Sequence, residues 1–167
     1  MLVTNLLPVL IAGVVSAVMG FIWYHPHVFG GVWMRLSGVT PETVERGKKR
    51  MHVYATLALI AGMLAAFVLY SLEIKLGIYT IAGAVQLGFW SWAGFVVPAL
   101  SGIVLWEQKP VLLYVINAGY WLVSFVAMSV ATAHDKLARR HPDETHSRRR
   151  QHLVHHCDLL AGLRGRL

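Results

Sequence analysis

Four long stretches of this chain contain no Asp, Glu, Lys or Arg, and each is long enough to cross a lipid bilayer. They cover residues 1–34, 51–72, 76–106 and 110–134. A spanning helix needs roughly 20 mostly apolar residues to match about 30 Å of hydrocarbon, and all four stretches reach that length. Only 14% of all residues are charged, against roughly 25% in a soluble domain. The sequence therefore predicts a protein whose surface faces lipid.

The backbone of a chain in hydrocarbon must satisfy its own hydrogen bonds, so each span is expected to be an α-helix. We predict helices at 3–24, 52–72, within 78–106, and at 111–133. The first run has no basic residue before it, which favours a retained helix over a cleaved signal peptide. The expected fold is all-α: an integral membrane four-helix bundle over residues 1–133, with an interfacial segment after the first helix.

Small residues recur at four-residue spacing in three of the spans and predict faces of close helix packing. The stripes are Ala12, Ser16 and Gly20; Ala58, Gly62 and Ala66; and Gly94, Pro98 and Gly102. Pro98 is also expected to kink the third helix. Before the second span, Thr40 and Pro41 predict a helix start, and we expect that helix to continue through the basic residues into the second span.

The charges outside the spans give two conflicting signals for orientation. Five basic residues lie between the first two spans and Lys109 lies on the same side, whereas Lys75 stands alone on the other side. This places the first loop in the cytoplasm. The tail, residues 134–167, carries eight further Lys and Arg and favours the opposite orientation, which leaves the question open. We expect this His- and Arg-rich tail to be mobile or to lie on an anionic membrane surface, without a nucleic-acid partner.

Two short motifs are distinctive. Residues 23–38 read Trp-Tyr-His-Pro-His-Val-Phe-Gly-Gly-Val-Trp-Met-Arg-Leu-Ser-Gly, and residues 116–120 read Ile-Asn-Ala-Gly-Tyr. With an acidic residue after the third span, Glu107, they resemble the domain of unknown function 1761 (DUF1761) family of small membrane proteins. The resemblance covers residues 2–133 and implies a four-helix membrane fold, but no activity. His25 and His27 depart from the residues most common in the family.

The first motif has two interpretations. Pro26 is expected to end the helix, Gly30 and Gly31 to allow a tight turn, and Phe29 and Trp33 to lie against the membrane surface. This makes the segment an interfacial turn that fixes the exit angle of the first helix. The alternative is an aromatic pocket for a lipid, a porphyrin-like ring or another flat apolar ligand. Both interpretations include Trp23, Tyr24, Pro26, Phe29, Gly30 and Trp33.

Polar side chains inside the spans are costly in lipid and therefore informative. We expect Gln86, Asn117 and Tyr120 to form interhelical hydrogen bonds, with contact to a ligand as the alternative. Glu73 and Glu107 lie near span ends, where we expect water to reach them. The absence of a carboxylate in the middle of a span disfavours proton-driven transport.

The sequence shows no phosphate-binding loop, nucleophile elbow or haem-attachment motif, and we predict no enzymatic activity and no cofactor. Histidines at 25 and 27 and a His/Cys group near Cys157 lack a visible supporting shell, so no metal is expected. We predict a multi-pass protein of the bacterial inner membrane, a structural or lipid-binding component. Its expected partners are membrane lipids and a second copy or another membrane protein. The alternative is a small oligomeric transporter or channel, with a polar cavity lined by Gln86, Ser91 and Asn117.

Overall fold

A computed structural model describes residues 6–134, and within this range the regular elements are helices, without a strand. The all-α prediction is confirmed there, whereas the predictions for the tail fall on residues outside the described range. The helices are α1 (Leu7–Trp23), α2 (Gly31–Ser37), α3 (Pro41–Lys49), α4 (Met51–Lys75), α5 (Ile81–Leu105) and α6 (Val111–His134).

Three of these helices, α4, α5 and α6, are long and apolar enough to cross a membrane. The α1 helix and the segment Pro26–Ser37 meet at a bend of 45° and provide a fourth span if the pair is counted as one. The membrane character predicted from the sequence therefore stands, with three or four spans in residues 6–134.

The α1 and α4 helices pack against each other through small residues. Ala12 and Ala66 are completely buried, and Ser16 is nearly so. A Cβ atom added to Gly62 would lie 3.5 Å from the carbonyl oxygen of Gly13 and 3.5 Å from Ser16 Oγ. Four members of the first two predicted stripes, Ala12, Ser16, Gly62 and Ala66, thus lie at this interface, because only small side chains let two backbones approach this closely. The other two do not: Ala58 is exposed, and Gly20 lies against Tyr120 of α6.

The third stripe was assigned wrongly as a packing face within this chain. A Cβ atom on Gly94 would meet no other residue within 4 Å, and Pro98 is exposed. The close contact of α5 is made nearer its start: a Cβ on Gly88 would lie 2.9 Å from the carbonyl oxygen of Phe125 and from Cα of Val126 in α6. Gly88 therefore sets the distance between α5 and α6.

The backbone of α5 widens before its proline. Residues Trp92–Val96 form a π-helical turn, and Pro98 follows within the next α-helical turn, Val97–Leu100. Proline lacks an N–H and its ring crowds the preceding turn, and π-turns are a common way for a helix to absorb such a disruption.

The helix before α4 does not run into it as predicted. Thr40 does cap α3, since its hydroxyl accepts a hydrogen bond from the backbone N–H of Thr43 at 3.3 Å. The helix then stops at Lys49, because Arg50 (φ −114°, ψ 16°) leaves the helical region before Met51 begins α4. The break separates a polar helix outside the spans from the apolar α4.

The connection after α1 is a π-helical turn, Pro26–Gly30, rather than the tight turn expected from its two glycines. Gly30 and Gly31 both have helical dihedral angles. Gly30 is required for a different reason: a Cβ atom there would overlap the carbonyl oxygen of Tyr24. The missing side chain lets the turn fold back onto the end of α1, which aims α2 towards α6.

Candidate functional site

The two sequence motifs meet at one side chain, Asn117 of α6. Its Oδ1 atom accepts a hydrogen bond from the Tyr24 hydroxyl at 3.0 Å and another from Trp33 Nε1 at 3.1 Å. The donors come from the end of α1 and from α2. A side-chain amide in an apolar helix is favourable when it is hydrogen-bonded to a neighbouring helix, and this interhelical role was the one predicted for Asn117.

The backbone carbonyls on either side of Asn117 accept indole donors as well. Trp23 Nε1 donates to the carbonyl oxygen of Ile116 at 3.1 Å, and Trp92 Nε1 donates to that of Ala118 at 2.8 Å. A carbonyl has two lone pairs, so one that is already bonded within its helix can still accept. Three indoles from three segments therefore converge on three consecutive residues of α6.

Trp92 was not among the site residues predicted from the sequence. Its position near the middle of a 25-residue span was the available signal, because Trp normally favours the headgroup level. A tryptophan at mid-span needs a partner for its N–H, and here that partner is the Ala118 carbonyl.

The last two residues of the second motif supply space and an aromatic face. A Cβ atom on Gly119 would lie 3.1 Å from Cζ2 of Trp23, so glycine makes room for this indole. The Tyr120 ring lies 5.3 Å from that of Tyr24 (centroid to centroid), and its hydroxyl donates to the Ser16 carbonyl oxygen at 3.5 Å. We call the group Trp23, Tyr24, Trp33, Trp92, Asn117 and Tyr120 the aromatic lock.

The other predicted site residues have different surroundings. Phe29 packs on Trp23 at a ring distance of 4.6 Å, and Pro26 begins the π-helical turn. Glu107 is exposed in the connection between α5 and α6, and Gln86 is exposed on α5. Gln86 therefore does not join Asn117, and the geometry gives no support to a polar cavity shared by these two side chains.

A cavity of about 400 Å³ lies beside the aromatic lock, between α1, α4 and α6. We call it the phenol cavity, since three tyrosine rings line it: Tyr24, Tyr54 and Tyr120. The remainder of its lining is apolar or small: Ala17, Gly20, Phe21, Met51, Ala55 and Ala58. Its size falls within the range of small-molecule sites, and its lining suits an apolar group.

A second cavity of about 610 Å³ shares one wall residue, Tyr54, with the phenol cavity. Its other lining residues belong to α3 and to the break that follows it: Thr43, Arg46, Gly47, Lys49 and Arg50. We call it the basic cavity. Of the two acidic residues of α3, Glu45 pairs with Lys48 at the surface, and a hydrogen bond from Thr40 lowers the pKa of Glu42, which keeps this exposed carboxylate ionised. Neither carboxylate lines the cavity.

The prediction that water reaches Glu73 is wrong. Its side chain is completely buried, and its Oε1 atom accepts a hydrogen bond from Thr132 Oγ1 of α6 at 3.0 Å. The same hydroxyl lies 3.0 Å from the carbonyl oxygens of Met128 and Ser129. Burying a carboxyl group costs free energy unless it is hydrogen-bonded, so this contact stabilises the far end of the α4–α6 interface.

The apolar helices and the buried hydrogen bonds between them define a polytopic α-helical membrane protein. The chain belongs to the DUF1761 family, described as proteins of unknown function, whose family model matches residues 7–133. The resemblance seen in the two motifs is thereby confirmed. No curated protein and no solved structure gives a significant match to the chain.

Proposed function

We propose that this protein is a non-catalytic component of the bacterial inner membrane that binds one lipid chain in the phenol cavity. The observation that carries the proposal is the cavity itself: about 400 Å³ lined mainly by small, apolar and aromatic side chains. Such a surface releases water or loosely packed lipid when an apolar group fills it. The aromatic lock then acts as a scaffold, because Tyr24 and Tyr120 belong to both the lock and the cavity wall.

Two features of the wall favour a bound chain over simple packing of the helices. Ala17, Ala55 and Ala58 leave space where larger residues would close the gap between α1 and α4. The phenol hydroxyls of Tyr24 and Tyr120 are engaged with Asn117 and the Ser16 carbonyl. The two hydroxyls thus already have hydrogen-bond acceptors in the protein, and their rings present apolar faces to the cavity.

Native mass spectrometry of the protein, extracted gently with its own lipids, tests the proposal. Ala58→Phe places a ring in the phenol cavity, and Ala82→Phe is the matched control on the exposed side of α5. We expect the wild type and Ala82→Phe to retain a discrete lipid mass that Ala58→Phe loses. Retention that is equal in all three proteins, or no retention in the wild type, would refute the proposal.

A small oligomeric transporter is the second candidate, and the buried Glu73 favours it. Ionisable side chains within membrane helices often mark ion or proton pathways. For this candidate, we expect purified protein in vesicles to support solute uptake that Glu73→Gln abolishes while the protein remains folded. Uptake that is unchanged by Glu73→Gln would remove the observation on which this candidate rests.

A further inference from the structure

The basic cavity and the phenol cavity share Tyr54 as a wall residue, and neither the fold nor the family explains why three cations gather at the wall of the basic cavity. We propose that the bound lipid is an anionic phospholipid, with an acyl chain in the phenol cavity and its phosphate in the basic cavity. This inference rests on the proposed function, since it specifies the headgroup of the lipid that the phenol cavity holds.

The charges of the basic cavity are available to a ligand. Arg46, Lys49 and Arg50 line it. Within the described residues 6–134 the ion pair of this region joins Lys48 to Glu45, and none of the three lining cations has a carboxylate partner. The Arg46 Nε atom only reaches the backbone carbonyl of Glu42, at 3.5 Å. Guanidinium groups bind phosphate oxygens through paired N–H donors, and a lysine adds a further charge.

The spacing of the cations produces this arrangement. Arg46, Lys49 and Arg50 lie three and four residues apart and therefore share one face of the chain. The α3 helix ends at Lys49 and α4 begins at Met51, and Tyr54 of α4 completes the wall of the cavity. Gly47 also leaves room for a headgroup, because the space beside it is open: a Cβ atom added there would meet no other residue within 4 Å.

The apolar surface continues beyond the phenol cavity in the direction that an acyl chain would follow. A groove of about 270 Å³ shares Ala17, Phe21 and Ala55 with it and extends to Leu59. From Met51 to Leu59 the α4 helix rises about 12 Å at 1.5 Å per residue. A polar, basic end followed by an apolar path matches an amphiphile that enters with its headgroup at the membrane surface.

The test uses the full chain, stripped of lipid and mixed with phosphatidylglycerol and phosphatidylcholine of identical acyl chains. The ratio of bound phosphatidylglycerol to bound phosphatidylcholine is read by native mass spectrometry. We expect the wild type to favour phosphatidylglycerol. Each of Arg46→Gln, Lys49→Gln and Arg50→Gln should lower the ratio roughly fivefold, the value of one basic residue near an anionic headgroup.

Two further variants isolate the cause. Lys48→Gln removes a charge from the same helix but outside the cavity wall, and we expect its ratio to remain close to that of the wild type. Gly47→Phe fills the basic cavity without changing a charge, and we expect it to reduce the preference for phosphatidylglycerol. An equal effect of Lys48→Gln would show a general surface charge effect and overturn the inference.

The remaining outcomes distinguish failure of the headgroup inference from failure of the lipid-binding proposal. If both lipids are retained equally, the headgroup inference fails while the lipid-binding proposal stands. If neither lipid is retained, both fail. An excess of inorganic phosphate is expected to leave the bound lipid in place, and its displacement of phosphatidylglycerol alone would show that the basic cavity prefers a free anion, which also overturns the inference.

Discussion

Removing the acceptor at the centre of the aromatic lock should destabilise the protein by a measurable amount, which can be apportioned between two hydrogen bonds. Asn117→Leu keeps the approximate size of the side chain but removes the oxygen that accepts from Tyr24 and Trp33 at 3.0 and 3.1 Å. Interhelical hydrogen bonds in membranes contribute about 0.6 kcal/mol on average and up to about 1.7. Two such bonds give an expected loss of about 1–3 kcal/mol in the free energy of unfolding.

A double-mutant cycle separates the hydrogen bond from the change in packing. Trp33→Phe is made in the wild type and in Asn117→Leu, and the free energy of unfolding is measured by steric trapping in bicelles. If the indole donates to Asn117, Trp33→Phe should cost less in the Asn117→Leu background, with a coupling energy of about 0.6–1.7 kcal/mol. Trp90→Phe is the control, because Trp90 is 68% exposed and should show no coupling. A coupling energy of zero for Trp33 would refute the assigned role of Asn117.

Three further outcomes can be measured on single variants. Gly88→Leu should lower the thermal midpoint strongly, since the new side chain meets the α6 backbone, whereas Gly94→Leu, which enters open space, should leave the midpoint nearly unchanged; similar shifts would argue against the α5–α6 contact. Thr132→Val removes the hydroxyl that donates to Glu73 and should cost about 1–3 kcal/mol, measured by denaturant unfolding, and no loss would refute the contact. Gln86→Leu removes an exposed amide from an apolar helix and should weaken the expected self-association in a bilayer energy-transfer assay; unchanged transfer would show that Gln86 is not at an interface between copies.

The helical fold was predictable from the sequence because it follows from hydrocarbon length and the absence of charges. The predicted helix 111–133 and the observed α6 differ by one residue. The break at Arg50 was not predictable in the same way, since the residues around it are compatible with a continuous helix. The α4 helix packs against α1 only in its apolar part. The junction between α3 and α4 at Arg50 is therefore not held straight by that packing.

The residues of the site were largely predictable, but their geometry was not. Trp33 and Asn117 were both recognised, yet a pattern of spacing along the chain does not show that an indole 84 positions earlier donates to the amide. The prediction for Glu73 was wrong because its position near the end of a span was taken to mean that water reaches it. Access depends instead on what packs over the side chain, and here Thr132 of α6 covers it.

The aromatic lock can form only after α6 has been synthesised, because its central acceptor, Asn117, lies in that helix. Trp33 leaves the ribosome 84 residues before the amide that accepts its hydrogen, which at 5–20 residues per second is roughly 4–17 s. During that interval its indole N–H must be satisfied by water, lipid headgroups or the insertion machinery. A photo-crosslinker at position 33 in arrested chains should therefore reach those surroundings first and α6 only after residue 117 has been inserted; crosslinks that do not change with chain length would contradict this. The docking of α6 is therefore the step at which the indole donors of α1, α2 and α5 gain their acceptors.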